Sequence, residues 1–297
     1  MIKVEEKTNI RIKDCISTDR PRLSFEIFPP KEWAKLEDTK KVAKALSCYA
    51  PSFISVTYGA GGGTSDYTFA LTQQITEKYN VPALAHLTCV GSDKEKVEAA
   101  LDEMKSRGIC NILALRGDIP ANSDFSFSKD FHHADELMRF IKEKGDFCIG
   151  GACYPEGHPE SPNTEADIES LRRKIDAGAD FLTTQMFFDN NIFYTFRMRM
   201  LGKGMDVPVL PGIMPIVNAN SIKRICALNG TPLPPRFKAI VDRFGDDPKA
   251  MKQAGIAYAT EQIIDLFANG VNHIHLYTMN RPEVAGAIIN NLSGIIG

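Results

Sequence analysis

Ser24-Phe25-Glu26-Ile27-Phe28-Pro29-Pro30-Lys31 decides the fold. The stretch Leu23–Phe28 reads as the first strand, and two prolines end it. A doubly wound open sheet that binds a dinucleotide carries G-x-G-x-x-G at this turn. Pro29-Pro30-Lys31 cannot be that turn. A Gly-rich loop, Gly59-Ala60-Gly61-Gly62-Gly63-Thr64, comes only after the second strand, and it fits neither G-x-G-x-x-G nor the P-loop pattern.

Further strand candidates follow outward from this first one: Phe53–Tyr58, Ala83–Cys89, Asn111–Leu115, Phe147–Cys153, Phe181–Phe187, Val207–Ile213 and Val271–Tyr277. Amphipathic segments of helical length separate them: Lys35–Tyr49, Asp66–Tyr79, Asp93–Arg107, Phe131–Lys144, Thr164–Ala177 and Ile192–Leu201. After the seventh strand come Asn220–Leu228, a Pro-rich break at Pro232–Pro235, and a long run Pro248–Ala268. A last helix, Pro282–Leu292, closes the pattern. Strict alternation of strand and helix argues for a parallel sheet with right-handed crossovers. Eight units point to an α/β fold of the (β/α)8 TIM-barrel type. Residues 1–20 read as an N-terminal arm or helix under the barrel, and residues 21–297 as one catalytic barrel domain.

Composition narrows the function. Of 297 residues, 35 are Lys or Arg and 37 Asp or Glu, a net charge of −2. No basic block supports a nucleic-acid partner. No stretch approaches the roughly 20 apolar residues that span a bilayer, so no membrane role is expected. Met1 to Arg20 carries both charge signs and lacks an apolar signal region. The seven cysteines form no C-x-x-C and fit buried thiols in a reducing cytoplasm; H-E-x-x-H is absent and no metal site is expected.

A parallel strand buried on both faces should be almost wholly apolar. Polar residues at its C-terminal end need a reason, and in barrels that end carries the active site. Glu26, Thr57, His86, Arg116-Gly117-Asp118, Tyr154, Gln185, and Tyr277 with Arg281 all fall there. Alternation places Ser24, Glu26 and Phe28 on one face, Thr183, Gln185 and Phe187 on one, and Ile54 and Val56 opposite Ser55 and Thr57. Glu26 sits between Phe25 and Ile27, where desolvation raises a carboxyl pKa and favours proton donation. A rim carboxylate paired with Lys31 is the alternative. His86 reads equally as a site residue or a satisfied core histidine, and Asp118 as a site residue or a turn. His273 and His275 read as structural. His132 and His133 read as a solvated helix start, and Thr164 with Asp167 as a capping-box variant.

The motifs then become recognisable as a set. The stretches from Ser24 to Lys31, Ser55-Val56-Thr57-Tyr58-Gly59-Ala60, His86-Leu87-Thr88-Cys89, Leu115-Arg116-Gly117-Asp118, Tyr154-Pro155-Glu156-Gly157-His158-Pro159-Glu160, Asp176-Ala177-Gly178-Ala179, Thr184-Gln185, Pro211-Gly212-Ile213-Met214-Pro215 and Tyr277-Thr278-Met279-Asn280-Arg281 run in family order. Together they resemble the bacterial-type methylenetetrahydrofolate reductases. The resemblance implies an FAD-containing barrel that takes hydride from NADH or NADPH by a ping-pong mechanism. It would reduce 5,10-methylenetetrahydrofolate to 5-methyltetrahydrofolate, in the one-carbon metabolism that feeds methionine biosynthesis. It implies Glu26 as general acid, and Asp118 as a pterin ligand that also tunes the flavin. Gln185 and Arg281 would contact substrate. For the flavin it implies Thr57, His86, Arg116, Gly117, Asp118, Ala134, Tyr154, His158, Asp167, Arg173 and Lys174. A homo-oligomer in the cytoplasm is expected by the same resemblance. The loop Asn218 to Ile225 departs from the family pattern. A pterin-binding barrel transferase without redox chemistry is the rival reading.

Overall fold

The computed structural model describes residues 10–16, 19–30, 32–58, 65–119, 129–229 and 231–296. Lys31 and the Gly-rich loop 59–64 lie outside them, as do residues 1–9 of the expected N-terminal arm.

Parallel strands β1 (Arg22–Ile27), β2 (Ile54–Val56), β3 (Ala83–Thr88), β4 (Asn111–Leu115), β5 (Cys148–Cys153) and β6 (Phe181–Thr184) pair in sequence order. β7 (Val209–Leu210) pairs with β6, while β8 (Gly212–Ile213) pairs with β9 (His273–Tyr277), which returns to β1. Among the described residues the sheet thus has nine strands, in the order β7-β6-β5-β4-β3-β2-β1-β9-β8. β7 and β8 are the two arms of the expected seventh strand, parted at Pro211. Proline has no N–H to give a ladder, but its carbonyl accepts from His275 N at 2.9 Å. The chain therefore closes the sheet around its own break, giving an eight-unit TIM-type barrel.

Helices α2 (Leu36–Ser47), α3 (Ser65–Tyr79), α4 (Lys94–Ser106), α5 (Ala134–Lys144), α6 (Thr164–Asp176), α7 (Asn190–Gly202) and α8 (Ala219–Asn229) follow successive strands. Their starts carry the expected chemistry: Asp93 caps α4 by accepting from Lys96 N, and Asp189 caps α7 by accepting from Asn191 N. For α6 the cap is Asn163, accepting from Ala166 N, and not Thr164. Asp167 instead accepts from Ser161 Oγ at 3.1 Å, which ties the preceding loop to the helix. His132 and His133 are exposed before α5, and Glu136 accepts both their N–H groups.

The Pro-rich break leads directly into a helix, α9 (Pro235–Phe244), absent from the sequence reading. Pro235 stands at the first helical position, where a missing N–H costs nothing. Phe237 and Val241, four apart, bury one face; Phe237 stacks on Tyr258 with centroids 4.2 Å apart. α10 (Pro248–Ala268) and α11 (Pro282–Leu292) complete the outer layer. Gly255 lies inside α10 because a Cβ there would fall 1.8 Å from Ile216 O, a backbone atom.

Alternation along the strands divides the interior by height. The floor is apolar: Phe53, Leu84, Leu113, Cys148, Phe181 and Leu210 form one cluster with Ile12 and Ile16 of a short helix, α1 (Ile12–Ile16). Asn111 fastens that helix, accepting from Ile12 N at 2.9 Å and donating to Ile10 O and Ala83 O. Outward-facing Phe25, Ile27, Ile54 and Val56 pack with α2, α3, α10 and α11. Water is excluded from below and from the sides, so polar chemistry is confined to the C-terminal ends of the strands.

Candidate active site

A cavity of about 840 Å³ opens at those ends. Of the residues singled out from sequence, it is lined by Glu26, Thr57, His86, Gly117, Asp118, Tyr154, Gln185 and Tyr277. The remaining ones lie elsewhere. Arg116 turns to Glu160 in a two-pronged ion pair, 2.5 and 2.8 Å. His158 meets the Tyr154 ring edge-on at 4.6 Å. Ala134 and Asp167 are buried in the first turns of α5 and α6. Arg173 is exposed and donates to Ser170 Oγ, whereas the Lys174 ammonium is buried and donates to Ala152 O at 2.8 Å. Arg281 is exposed at the start of α11, beyond the opposite rim.

Glu26 is the centre of the lining. Its Oε2 accepts from Ser55 Oγ at 3.4 Å, lies 3.5 Å from His86 Nε2 and 3.8 Å from His275 Nε2. Burial pushes its pKa up more than any other single influence. The sequence reading had that effect alone, and the structure reverses the net direction. His275, His86 and the Ser55 hydroxyl together hold the carboxyl below its ordinary value. Glu26 is therefore a carboxylate in the ligand-free site, and it becomes a donor only when a proton is delivered to it. The alternative partner Lys31 lies outside the described residues.

The end of β1 is clamped. Thr278 Oγ1 donates to Glu26 O at 2.6 Å, and the Asn280 amide spans Phe28 N and Phe28 O at 3.0 and 2.9 Å. Met279 and Asn280 both adopt left-handed backbone, φ 51° and 54°, which for a non-glycine residue stores strain of order 1 kcal/mol or more. The loop holds that conformation because the clamp fixes it.

The other walls are equally ordered. Gln185 follows β6 instead of lying within it; its N–H donates to Cys153 O, and its side-chain oxygen accepts from Met186 N. Its side chain also bonds Tyr154, whose phenol is pushed up by burial and then by Asp118. Gly117 is required by its own loop: its φ is +91°, and a Cβ would strike Val90 at 2.6 Å. Tyr277, half-buried, donates to Thr184 O at 2.5 Å.

His275, read as structural, belongs to the site. Its Nδ1 lies 2.8 Å from Ser24 Oγ and its Nε2 3.2 Å from Ser55 Oγ. His273, two residues earlier, is buried with neither ring nitrogen bonded and stacks on Phe53 near the floor. The period-two alternation of β9 points both rings inward. The register against β1 sets His275 opposite Ser24, one inward position below Glu26, from where its Nε2 comes within 3.8 Å of the carboxyl.

The family model described as methylenetetrahydrofolate reductase matches residues 11–293 of this chain. The chain belongs to the methylenetetrahydrofolate reductase family. It is 36% identical over 273 residues to 5,10-methylenetetrahydrofolate reductase of Pectobacterium carotovorum subsp. carotovorum, covering 92% of this chain and 90% of that protein. Identity to the Escherichia coli K12 enzyme of the same name is 35% over 270 residues, covering 91% and 90%. Methylenetetrahydrofolate reductase (NADH) 1 of Arabidopsis thaliana is 36% identical over 295 residues, and this chain spans 50% of its length. Among solved structures, an uncharacterised Clostridium thermocellum protein that binds two copies of 5-methyl-5,6,7,8-tetrahydrofolic acid superposes with TM-score 0.63 at 12% identity, over 94% of this chain and 96% of that one. An oxaloacetate acetylhydrolase superposes with TM-score 0.54. Both show the barrel and no more. The chain is thus an oxidoreductase of folate one-carbon chemistry, its family reducing methylenetetrahydrofolate. Among the described residues no helix is long and apolar enough to cross a membrane.

Proposed function

We propose that this member is a flavoprotein that oxidises NADH or NADPH and reduces 5,10-methylenetetrahydrofolate to 5-methyltetrahydrofolate in two alternating half-reactions. The observation that carries it is a half-buried carboxyl, Glu26, lining one cavity whose other walls offer Asp118, Gln185, Thr57 and Tyr154.

The residues present fit FAD. His86 Nε2 and Thr183 Oγ1 are buried, lack hydrogen-bond partners, and both residues line the cavity. Beyond β4 and β5, His158 feels the charges of Glu160, Arg116, Asp167 and Lys174, which places these groups around one spot. Arg116 and Lys174 suit a pyrophosphate, Asp167 can accept from ribose hydroxyls, and the wall at Gly117 suits an isoalloxazine flank. Bound FAD supplies the hydride chemistry that no side chain here can perform.

The chain's own residues supply the rest. Glu26 donates a proton to the nitrogen that leaves the one-carbon bridge; that carbon–nitrogen bond breaks and its electron pair takes the proton. Gln185 and Asp118 present hydrogen-bonding groups to the pterin, the carboxylate facing its guanidine-like edge. Arg281 on the rim suits an anionic substrate tail. The word NADH in the plant relative's name favours NADH as donor.

Purified protein should be yellow, bleach on anaerobic mixing with NADH or NADPH, and regain its colour with methylenetetrahydrofolate. Stopped-flow mixing with each nucleotide in turn ranks the donors. A colourless folded protein that binds folate would favour the transferase reading instead.

A further inference from the structure

We propose that His275 is a positioning residue for Glu26: held between Ser24 and Ser55, its imidazole shares one proton with the Glu26 carboxyl through the Ser55 hydroxyl. The proposal rests on Glu26 being the proton donor proposed above.

The geometry of the cradle distinguishes His275 from the other interior histidines. As a neutral ring it donates from Nε2 to Ser55 Oγ and accepts at Nδ1 from Ser24 Oγ. As a cation it donates from both nitrogens. Ser24 then keeps a place for its own proton, because Ile274 O lies 3.4 Å from its Oγ. Both protonation states are therefore satisfied without moving a heavy atom. A buried group that leaves a partner unsatisfied in one state is held in the other, and that penalty is missing here. His86 and His273 have no such cradle; burial pushes them down to about 4 and about 3, so both are neutral near neutral pH.

The transfer balances. The Nε2–H bond of the cationic ring breaks as the proton passes to Ser55 Oγ, and the original Ser55 hydroxyl proton passes to Glu26 Oε2, 3.4 Å away. A carboxylate and an imidazolium become a carboxyl and an imidazole. Glu26 then gives the proton to the departing folate nitrogen, and the pair regains one from solvent at the mouth after product leaves. The floor cannot be the source, since α1 and its cluster seal it. The groups facing this pair are few: His86 from β3 and Tyr277 from β9 face Glu26, while His273 stands below His275 and itself faces Arg22 of β1.

A shared proton leaves a signature in the pH profile. The pair keeps its last proton up to the higher of two joint titration steps. With His275 replaced by Gln, the carboxyl titrates alone: burial lifts its own pKa once that lowering contact is gone, but its proton is still expected to leave below the upper step of the pair. Reduced flavoprotein is mixed anaerobically with methylenetetrahydrofolate across a pH series, for wild type, His275→Gln, Ser55→Ala and Glu26→Gln. The alkaline limb of flavin reoxidation is expected to move down by about one pH unit in His275→Gln, a roughly tenfold greater loss above neutrality than below it. Ser55→Ala, which keeps the ring and removes the link, should move the limb in the same direction. The pH profile of flavin reduction by the nicotinamide, recorded on the same proteins, separates this from altered flavin binding. A limb that stays in place while the whole profile scales down would overturn the proposal and leave His275 a packing residue. If His275→Gln fails to retain flavin, Ser55→Ala decides alone, and an unmoved limb there overturns it equally. A fully active Glu26→Gln would instead remove the proton donor, and with it the function proposed above.

Discussion

Glu26→Gln should slow reoxidation of the reduced flavin by methylenetetrahydrofolate by about 10²–10⁴, the usual worth of general acid catalysis, while reduction by the nicotinamide continues nearly intact. Glutamine keeps the volume and can still bond Ser55, so the cavity and the clamp on β1 survive. What is lost is the transferable proton. Hydride donation by NADH needs no acid at this position, and folate ring opening does. The two half-reactions therefore divide the effect: rapid mixing of oxidised enzyme with NADH, and of reduced enzyme with folate, measures each separately. If both run at wild-type rates, Glu26 is not the donor.

Asp118→Asn is the second large effect, and its sign differs between the half-reactions. Asp118 is exposed at the cavity lining next to Tyr154, where its charge helps hold the phenol up. A fixed negative charge beside a flavin disfavours the electron-rich reduced form. Removing it should make reduction by NADH easier and return of hydride to folate harder. It also removes a charge-assisted hydrogen bond to the pterin, worth about 1.5–3 kcal/mol, or roughly 10–150-fold in folate affinity. The flavin reduction potential and the folate dissociation constant are the two readouts. An unchanged potential together with unchanged folate binding would place Asp118 in a plain turn.

The barrel was legible because its strands obey one rule. Apolar Phe25, Ile27, Ile54 and Val56 alternate with polar Ser24, Glu26, Ser55 and Thr57, and the structure puts the first set under helices and the second inside. Pro211 shows where a single-strand reading thins out. The run Val207–Ile213 is one strand by composition and two by hydrogen bonding, because a proline cannot serve both neighbours. α9 was hidden by the same residue type, with Pro235 opening a helix that the cluster Pro232–Pro235 had marked as a break. The site was half legible for a different reason. Eight residues picked from strand ends converge on one cavity. The approach of His275 to Glu26 and the pairing of Arg116 with Glu160 depend on register and on loops meeting in space. Glu26 states the limit most clearly. Its burial follows from Phe25 and Ile27 in the sequence, but its ionisation is set by His275, His86 and Ser55, which three other strands bring to it.

The central claim is that the Glu26 carboxyl, inside the mouth of the barrel, meets the reacting folate nitrogen beside the flavin. A crystal structure of the chain with FAD and a bound folate tests it most directly. The account predicts a Glu26 carboxyl oxygen within about 2.6–3.2 Å of the nitrogen that leaves the one-carbon bridge, or one water away, with the pterin held by Asp118 and Gln185 against the flavin ring. A folate or flavin seated on the outer wall, or a Glu26 side chain out of reach of both, would contradict it.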